Sequence, residues 1–334
     1  GTTVAGIQSG KPSVDALGSF NYELPLKVAP GINGLTPELS LSYNSRNNGP
    51  GILGVGWTLN GLSAVYRCGK SLQLDGTIGP IEYNNSDRLC VDGKRLIAST
   101  GSSDSQYWSA SAKYYTYEES WTQYRQVGGQ HSVHGPEDFE ANTKNGTILS
   151  YRYSRSGHST LGHGRWYLSR IEDRNGNQIQ IQYMDSNGTS RPYKLAYNNG
   201  HEVRFIYSVG SIQDRATQYL TGGPDEGAYY TQARHRLNRI DIYAAGSLFK
   251  SYKLSYTISQ GSKRSLLTKI EECDGSTSSA SCLEPVDIDW NQFNFHGSSG
   301  GNFRRFQPGS ESSGDTYQFD LIGPTSLPYG QFIG

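Results

Sequence analysis

The 334-residue sequence has little that would make it helical, membrane-spanning or nucleic-acid-binding. A single methionine and no long Ala/Leu/Glu/Lys run argue against a helical bundle. No apolar run approaches the length of a membrane span. Neither charge sign is in excess: thirty basic residues face thirty acidic ones, with no basic block to follow a phosphate backbone. Nucleic acid is therefore not an expected partner. Cysteine is sparse, at 68, 90, 273 and 282, with no Cys-x-x-Cys pair and no histidine at zinc spacing. The simplest pairing is local, Cys68 with Cys90 and Cys273 with Cys282, which points to an oxidising compartment; four buried free thiols are the alternative. The sequence begins at Gly1 without methionine or a charged-then-apolar leader, as a processed form or a fragment would, and this leaves export open.

The chain is rich in tyrosine and glycine. Twenty-four tyrosines, ten phenylalanines and five tryptophans supply buriable area although mean hydropathy is −0.61, and forty-one glycines supply turns. The class this predicts is all-β: large twisted antiparallel sheets of hairpins in a shell-like or sandwich arrangement.

The stretch Thr36–Gly61 is the most informative. Leu39, Leu41 and Tyr43 alternate with polar residues as a strand with one buried face. Side chains then vanish at Gly49, Pro50, Gly51, Gly54 and Gly56, while Ile52, Leu53, Val55 and Trp57 supply apolar anchors. Such a corner is either a phosphate cradle or a close backbone approach. The cradle needs a third glycine entering a helix or a Lys-Ser/Thr pair, and Gly54-Val55-Gly56-Trp57-Thr58-Leu59 has neither. The structural reading is preferred, with Gly49, Gly51, Gly54, Gly56 and Trp57 as its keystone.

The run Pro37-Glu38-Leu39-Ser40-Leu41-Ser42-Tyr43-Asn44-Ser45, with Asn48-Gly49 and Gly54-Val55-Gly56-Trp57-Thr58-Leu59, resembles the SpvB/TcaC amino-terminal domain family. The likeness extends back through Gly18–Leu26 and forward through Arg88–Leu96, and more loosely to about residue 290. That family opens the B components of insecticidal Tc toxins, the virulence protein SpvB and many RHS-type polymorphic toxins. The resemblance implies a secreted or cell-surface, non-enzymatic shell module. Its implied partners are downstream propeller and RHS segments or a Tc C-type protein, and a translocating A-type component. In SpvB an ADP-ribosyltransferase forms a separate carboxy-terminal domain. Of its marks, Arg264 and Ser276-Thr277-Ser278 occur here without a following Glu-x-Glu.

Residues 1–17 read as a mobile lead-in, 18–290 as the β-rich domain with a subdivision near 100–135, and 291–334 as a Gly/Ser linker into a truncated FG-GAP-like propeller unit. A hairpin is expected over about 19–44, with Pro25 where the strand pairs on one side only. Leu62–Cys68 continues that sheet, Asp92-Gly93 turns a hairpin, and the serine-rich 99–111 is a surface loop. From Phe139 a degenerate repeat recurs: Leu-x-x-Ile, a turn, then an alternating strand, as at Leu168/Ile171, Leu237/Ile240 and Leu267/Ile270. It resembles RHS strand repeats but lacks their Tyr-Asp dipeptide.

Chemistry-bearing patterns are weak. His131/His134 and His158/His163 lack His-Glu-x-x-His spacing and read as loop residues. Asp173-x-Asn175-x-Asn177 opens like a calcium loop but has Gln178 and Met184 where glycine and glutamate belong, so a turn is preferred. Asp287 and Asp289 share one strand face rather than flanking a cleft. No catalytic residue, metal or cofactor is expected. Tyr114, Tyr115, Tyr117 and Trp121 are either packed strand residues or, in the rival reading of an adhesin or glycan-binding module, a stacking platform.

Overall fold

The computed structural model describes residues 10–290, apart from 48, 50, 132–134, 154–163, 187–188, 199, 209–216, 222–227, 233–234 and 276–281. The linker and propeller expected over 291–334 lie outside the described residues, as do the side chains of both histidine pairs and Ser276–Ser278. Among the described residues the regular structure is almost entirely strand.

Strands β1 (Lys11–Val14), β2 (Phe20–Pro25), β3 (Ser40–Asn44) and β4 (Trp57–Asn60) form an antiparallel sheet in chain order. Part of the expected lead-in is thus a strand: Lys11–Val14 pairs with Phe20–Glu23, its side chains exposed, which is why it shows no hydrophobic period. Pro25 lies beyond the end of β1 and pairs only with Ser40 of β3, so its missing N–H costs no ladder bond.

Gly61, at φ 96, swings the chain out of this sheet; a Cβ there would lie 2.0 Å from the Glu38 carbonyl oxygen. The segment expected to continue the first sheet instead starts a barrel. Its strands are β5 (Ala64–Cys68), β6 (Arg88–Val91), β7 (Lys94–Ala98), β8 (Lys113–Thr116), β9 (Thr122–His131), β10 (Gly135–Thr143), β11 (Ile148–Tyr153) and β12 (Arg165–Glu172). Each pairs with the next, and β12 returns to β5, closing eight strands. The lumen is packed, not open. Tyr114, Phe139, Tyr151 and Trp166 are buried there, with Phe139 and Trp166 edge to face at 4.9 Å and the Trp166 indole donating to the Pro136 carbonyl at 2.9 Å.

The serine-rich 99–111 differs from expectation. Its helical turn α2, which follows a first turn α1 (Leu72–Asp75), spans Asp104–Tyr107 and folds against the barrel end. Tyr107 and Trp108 are buried; the Tyr107 hydroxyl donates to the Leu96 carbonyl and accepts from the Leu89 N–H. Two aromatics outweigh the local serines. Beneath them a buried ion cluster forms, in which Asp75 accepts from Arg88 and Arg95, and Arg67 meets Asp87 at 3.0 Å.

Strand β12 belongs to two structures. Arg165–Tyr167 pairs with β5, while Arg170–Glu172 pairs on the same side with β13 (Gln178–Ser186). From there the sheet runs through β14 (Thr189–Tyr197) and β15 (His201–Tyr207). A separate hairpin intervenes, β16 (Thr217–Thr221) with β17 (Ala228–Gln232). The sheet resumes with β18 (Leu237–Ala244), β19 (Ser247–Ile258), β20 (Ser265–Asp274) and the short β21 (Val286–Asp287). The connection from β2 to β3 bonds to this extension: the Tyr197 hydroxyl donates to the Ala29 carbonyl at 2.8 Å, and Lys27 N–H donates to the Tyr252 hydroxyl at 2.8 Å. Both cysteine pairs form as expected, Cys68–Cys90 bridging β5 to β6 and Cys273–Cys282 tying the last segment to β20.

The degenerate repeat has a physical basis. An aromatic head group reaches back to a carbonyl at the start of its unit: Tyr183 to Leu168 at 2.9 Å, Tyr207 to Pro192 at 2.7 Å, Tyr256 to Leu237 at 2.7 Å, and the Trp290 indole to Leu267 at 2.7 Å. The register slips by a bulge at each of the three tyrosines. A bulge leaves a ladder irregular, and the hydroxyl satisfies a carbonyl nearby. Removing the Tyr256 hydroxyl in Tyr256→Phe should cost about 1–3 kcal/mol in denaturant unfolding, because the Leu237 carbonyl is left unpaired; Tyr117→Phe, on an exposed ring, should cost nothing measurable.

Burial raises the pKa of many tyrosines, pushing Tyr107, Tyr124 and Tyr197 up to about 12. A phenol that binds its proton more tightly folded than unfolded contributes stability that is complete below its unfolded pKa and lost above it. Stability should therefore fall between about pH 10 and 12, visible as cooperative tyrosinate absorbance coinciding with loss of near-UV circular dichroism.

Candidate functional site

The glycine corner is a docking element. Leu53 is fully buried, and the Trp57 indole packs on Tyr43 and Tyr22 with centroids at 5.6 and 6.1 Å. Tyr43 in turn meets Trp290 edge to face at 5.8 Å. The corner's backbone joins the far end of the long sheet: Val55 N–H donates to the Ser265 carbonyl at 3.0 Å, and Leu237 N–H donates to the Ile52 carbonyl at 3.0 Å. Arg236 donates to the Gly51 carbonyl at 2.9 Å and Arg264 to the Gly49 carbonyl at 3.0 Å.

The corner thus offers carbonyl oxygens to guanidinium groups, whereas a phosphate cradle must offer N–H groups to an anion. The preferred reading of Gly49, Gly51, Gly54, Gly56 and Trp57 is refined in one respect. Gly54 and Gly56 need glycine: both have φ near +80°, and a Cβ would lie 2.4 Å from the Ser265 carbonyl oxygen or 2.3 Å from the Tyr43 ring. At Gly51 the nearest atom to such a Cβ is 3.4 Å away, and Gly49 meets only the Asn47 side chain. These two act through their carbonyls. The docking partners Arg236 and Ser265 were not legible, since neither belongs to a motif and both lie more than 180 residues from the corner.

The aromatic strip does not form one platform. Tyr114 is fully buried in the lumen, its hydroxyl bonded to the Tyr107 carbonyl, so it offers no face to a sugar. Tyr115 is half-buried, with the Gln123 amide donating to its hydroxyl. Tyr117 and Trp121 are exposed, and Trp121 takes a left-handed φ of 55° in the β8–β9 turn. Strand alternation separates inward from outward members, which their nearness in sequence conceals.

The turn reading of Asp173 matches its geometry. Its carboxylate accepts from the N–H groups of Asn175 and Asn177 and from the Asn177 amide, and that side-chain bond holds its pKa below the usual range. Asp287 sits 3.7 Å from Lys269 on an exposed edge. Among the described residues no three His, Cys, Asp or Glu side chains gather as a metal site.

Sheet order, corner and repeat together define an all-β module, a closed barrel continued by a long sheet. The profile of the SpvB family, Salmonella virulence plasmid 65kDa B protein, matches residues 14–209, and the chain belongs to that family. Its fold is that of a segment of the TcdB2–TccC3 crystal structure, with a TM-score of 0.61 at 15% identity over 86% of this chain. The Photorhabdus luminescens Tc holotoxin pore gives 0.59 at 14% identity, also over 86% of this chain. This chain spans 17% and 16% of the lengths of those two chains. No curated protein matches it.

The corner can be tested directly. Gly54→Val should abolish soluble protein, because side chain and Ser265 backbone cannot share the space, while Gly51→Ala should shift the melting temperature by less than about 2 °C. A well-folded Gly54→Val protein of unchanged melting temperature would remove the corner from its structural role.

Proposed function

We propose that the chain is a non-enzymatic wall segment of a large secreted bacterial toxin of the Tc/RHS kind, helping to hold or deliver a toxic domain encoded elsewhere. The observation that carries this reading is the shared fold over 86% of this chain with TcdB2–TccC3, joined to membership of the SpvB family. The architecture suits a wall. One strand, β12, is common to a filled barrel and a long sheet, and the corner bonds residues 185 and 215 positions apart, which resists separation of the parts. Residues 18–290 act in this reading as one β-rich unit, and 291–334 lead into a propeller-like module. Downstream propeller and RHS repeats, or a Tc C-type protein, would complete the enclosure, with an A-type component as the translocating partner.

The test is electron microscopy of the native polypeptide that carries this segment, together with the partners encoded beside it. A closed β-shell with residues 18–290 in its wall and a protease-protected payload is the expected result. A native polypeptide that encloses nothing, or an enzymatic activity mapping to 18–290, would overturn it.

A further inference from the structure

The fork in β12 creates a second feature. Because β5 takes the first half of β12 and β13 the second, β13 leaves the barrel there and leads into β14, and residues of these two strands face residues of β9–β12. Between them lies a cleft of about 1200 Å³, larger than the roughly 300–1,000 Å³ of a small-ligand pocket. Gln178, Gln180 and Gln182 of β13 line it, as do Arg152 of β11, Glu140 of β10 and Tyr193 of β14. Tyr193 is 45% exposed.

The chemistry of the walls narrows the ligand. Each guanidinium at the cleft has a carboxylate within 4 Å, Arg152 with Asp138 at 3.9 Å and Arg170 with Glu172 at 3.6 Å, so the surface does not select a polyanion. Amides, carboxylates and guanidiniums are planar groups that donate or accept hydrogen bonds in pairs, a match for neighbouring hydroxyls. An exposed tyrosine adds a flat apolar face with a polar rim. An extended peptide would instead want apolar recesses for alternate side chains; Phe139 and Ile181 at the cleft are themselves buried, which leaves Val127 as the aliphatic side chain partly open to it. We propose that this cleft binds an uncharged oligosaccharide, with Gln180, Gln182 and Arg152 bonding to hydroxyls and Tyr193 stacking on a ring. This site is distinct from the Tyr117/Trp121 turn and does not depend on the wall reading.

The experiment uses the 334-residue protein on a printed oligosaccharide array, with cellohexaose, chitohexaose and maltohexaose as soluble probes for calorimetry. Retention of at least one glycan is expected, with Kd raised tenfold or more in Tyr193→Ala and in the double variant Gln180→Ala/Gln182→Ala. Hydroxyl-radical footprinting of the unaltered protein, which needs no variant to fold, should find Tyr193 and Arg152 protected by the bound glycan. No glycan retained, unchanged affinity in folded variants, capture of extended peptides in place of glycans, or protection at Tyr117 and Trp121 instead would each overturn the assignment.

Discussion

The structure depends on backbone meeting backbone at the glycine corner. The four-stranded sheet near the amino terminus cannot bury its apolar face alone, since a short sheet needs a second layer to exclude water. Ile52 and Val55 tie the sheet to Leu237 and Ser265 by backbone hydrogen bonds, and Leu41, Leu53 and Trp57 are buried. Distances this short leave no room for a Cβ at Gly54 or Gly56, and positive φ is needed at both. The Lys27–Glu272 ion pair at 3.1 Å, with Glu272 buried, adds a second tie between the same layers. A buried carboxylate needs such partners, because alone it would be costly to desolvate; Lys250 supplies another at 2.9 Å.

The barrel and the extended sheet differ in how they spend their tyrosines. In the lumen, Tyr114, Tyr124 and Tyr151 fill space, and their hydroxyls are bonded within the core or near its rim. In the extension, Tyr183, Tyr207 and Tyr256 stand at bulges and clasp carbonyls. The residue type is the same because both tasks want a large apolar body with one polar tip.

Much of this was legible from sequence. Period-two alternation fixed the strands, Asn-Gly and Asp-Gly fixed hairpins such as β6–β7 and β10–β11, and the cysteines paired at short range. The barrel was not legible, because its closing pairing, Arg165–Tyr167 with Ala64–Tyr66, joins segments about a hundred residues apart and leaves no local mark. The inward fold of 99–111 was missed because composition averages over residues, while two anchors, Tyr107 and Trp108, decide its course. Of the expected keystone set, Gly54 and Gly56 have the positive φ that glycine permits, whereas the carbonyl bonds at Gly49 and Gly51 involve guanidinium partners that only the fold brings near. The candidate stacking strip divided because neighbours along a strand face opposite ways.

The reach of the clasps bears on the order of assembly. Each returns only 15 to 23 residues along the chain, so a hairpin can close its own clasp as soon as it has left the ribosome. The corner must wait for Arg236 and Arg264, 185 and 215 residues later. A chain emerging amino terminus first therefore carries its opening sheet unlatched, with apolar surface facing water, until the last hairpins arrive. Vectorial exit makes that sheet form well before it is secured, the stage at which a chaperone would have most to shield.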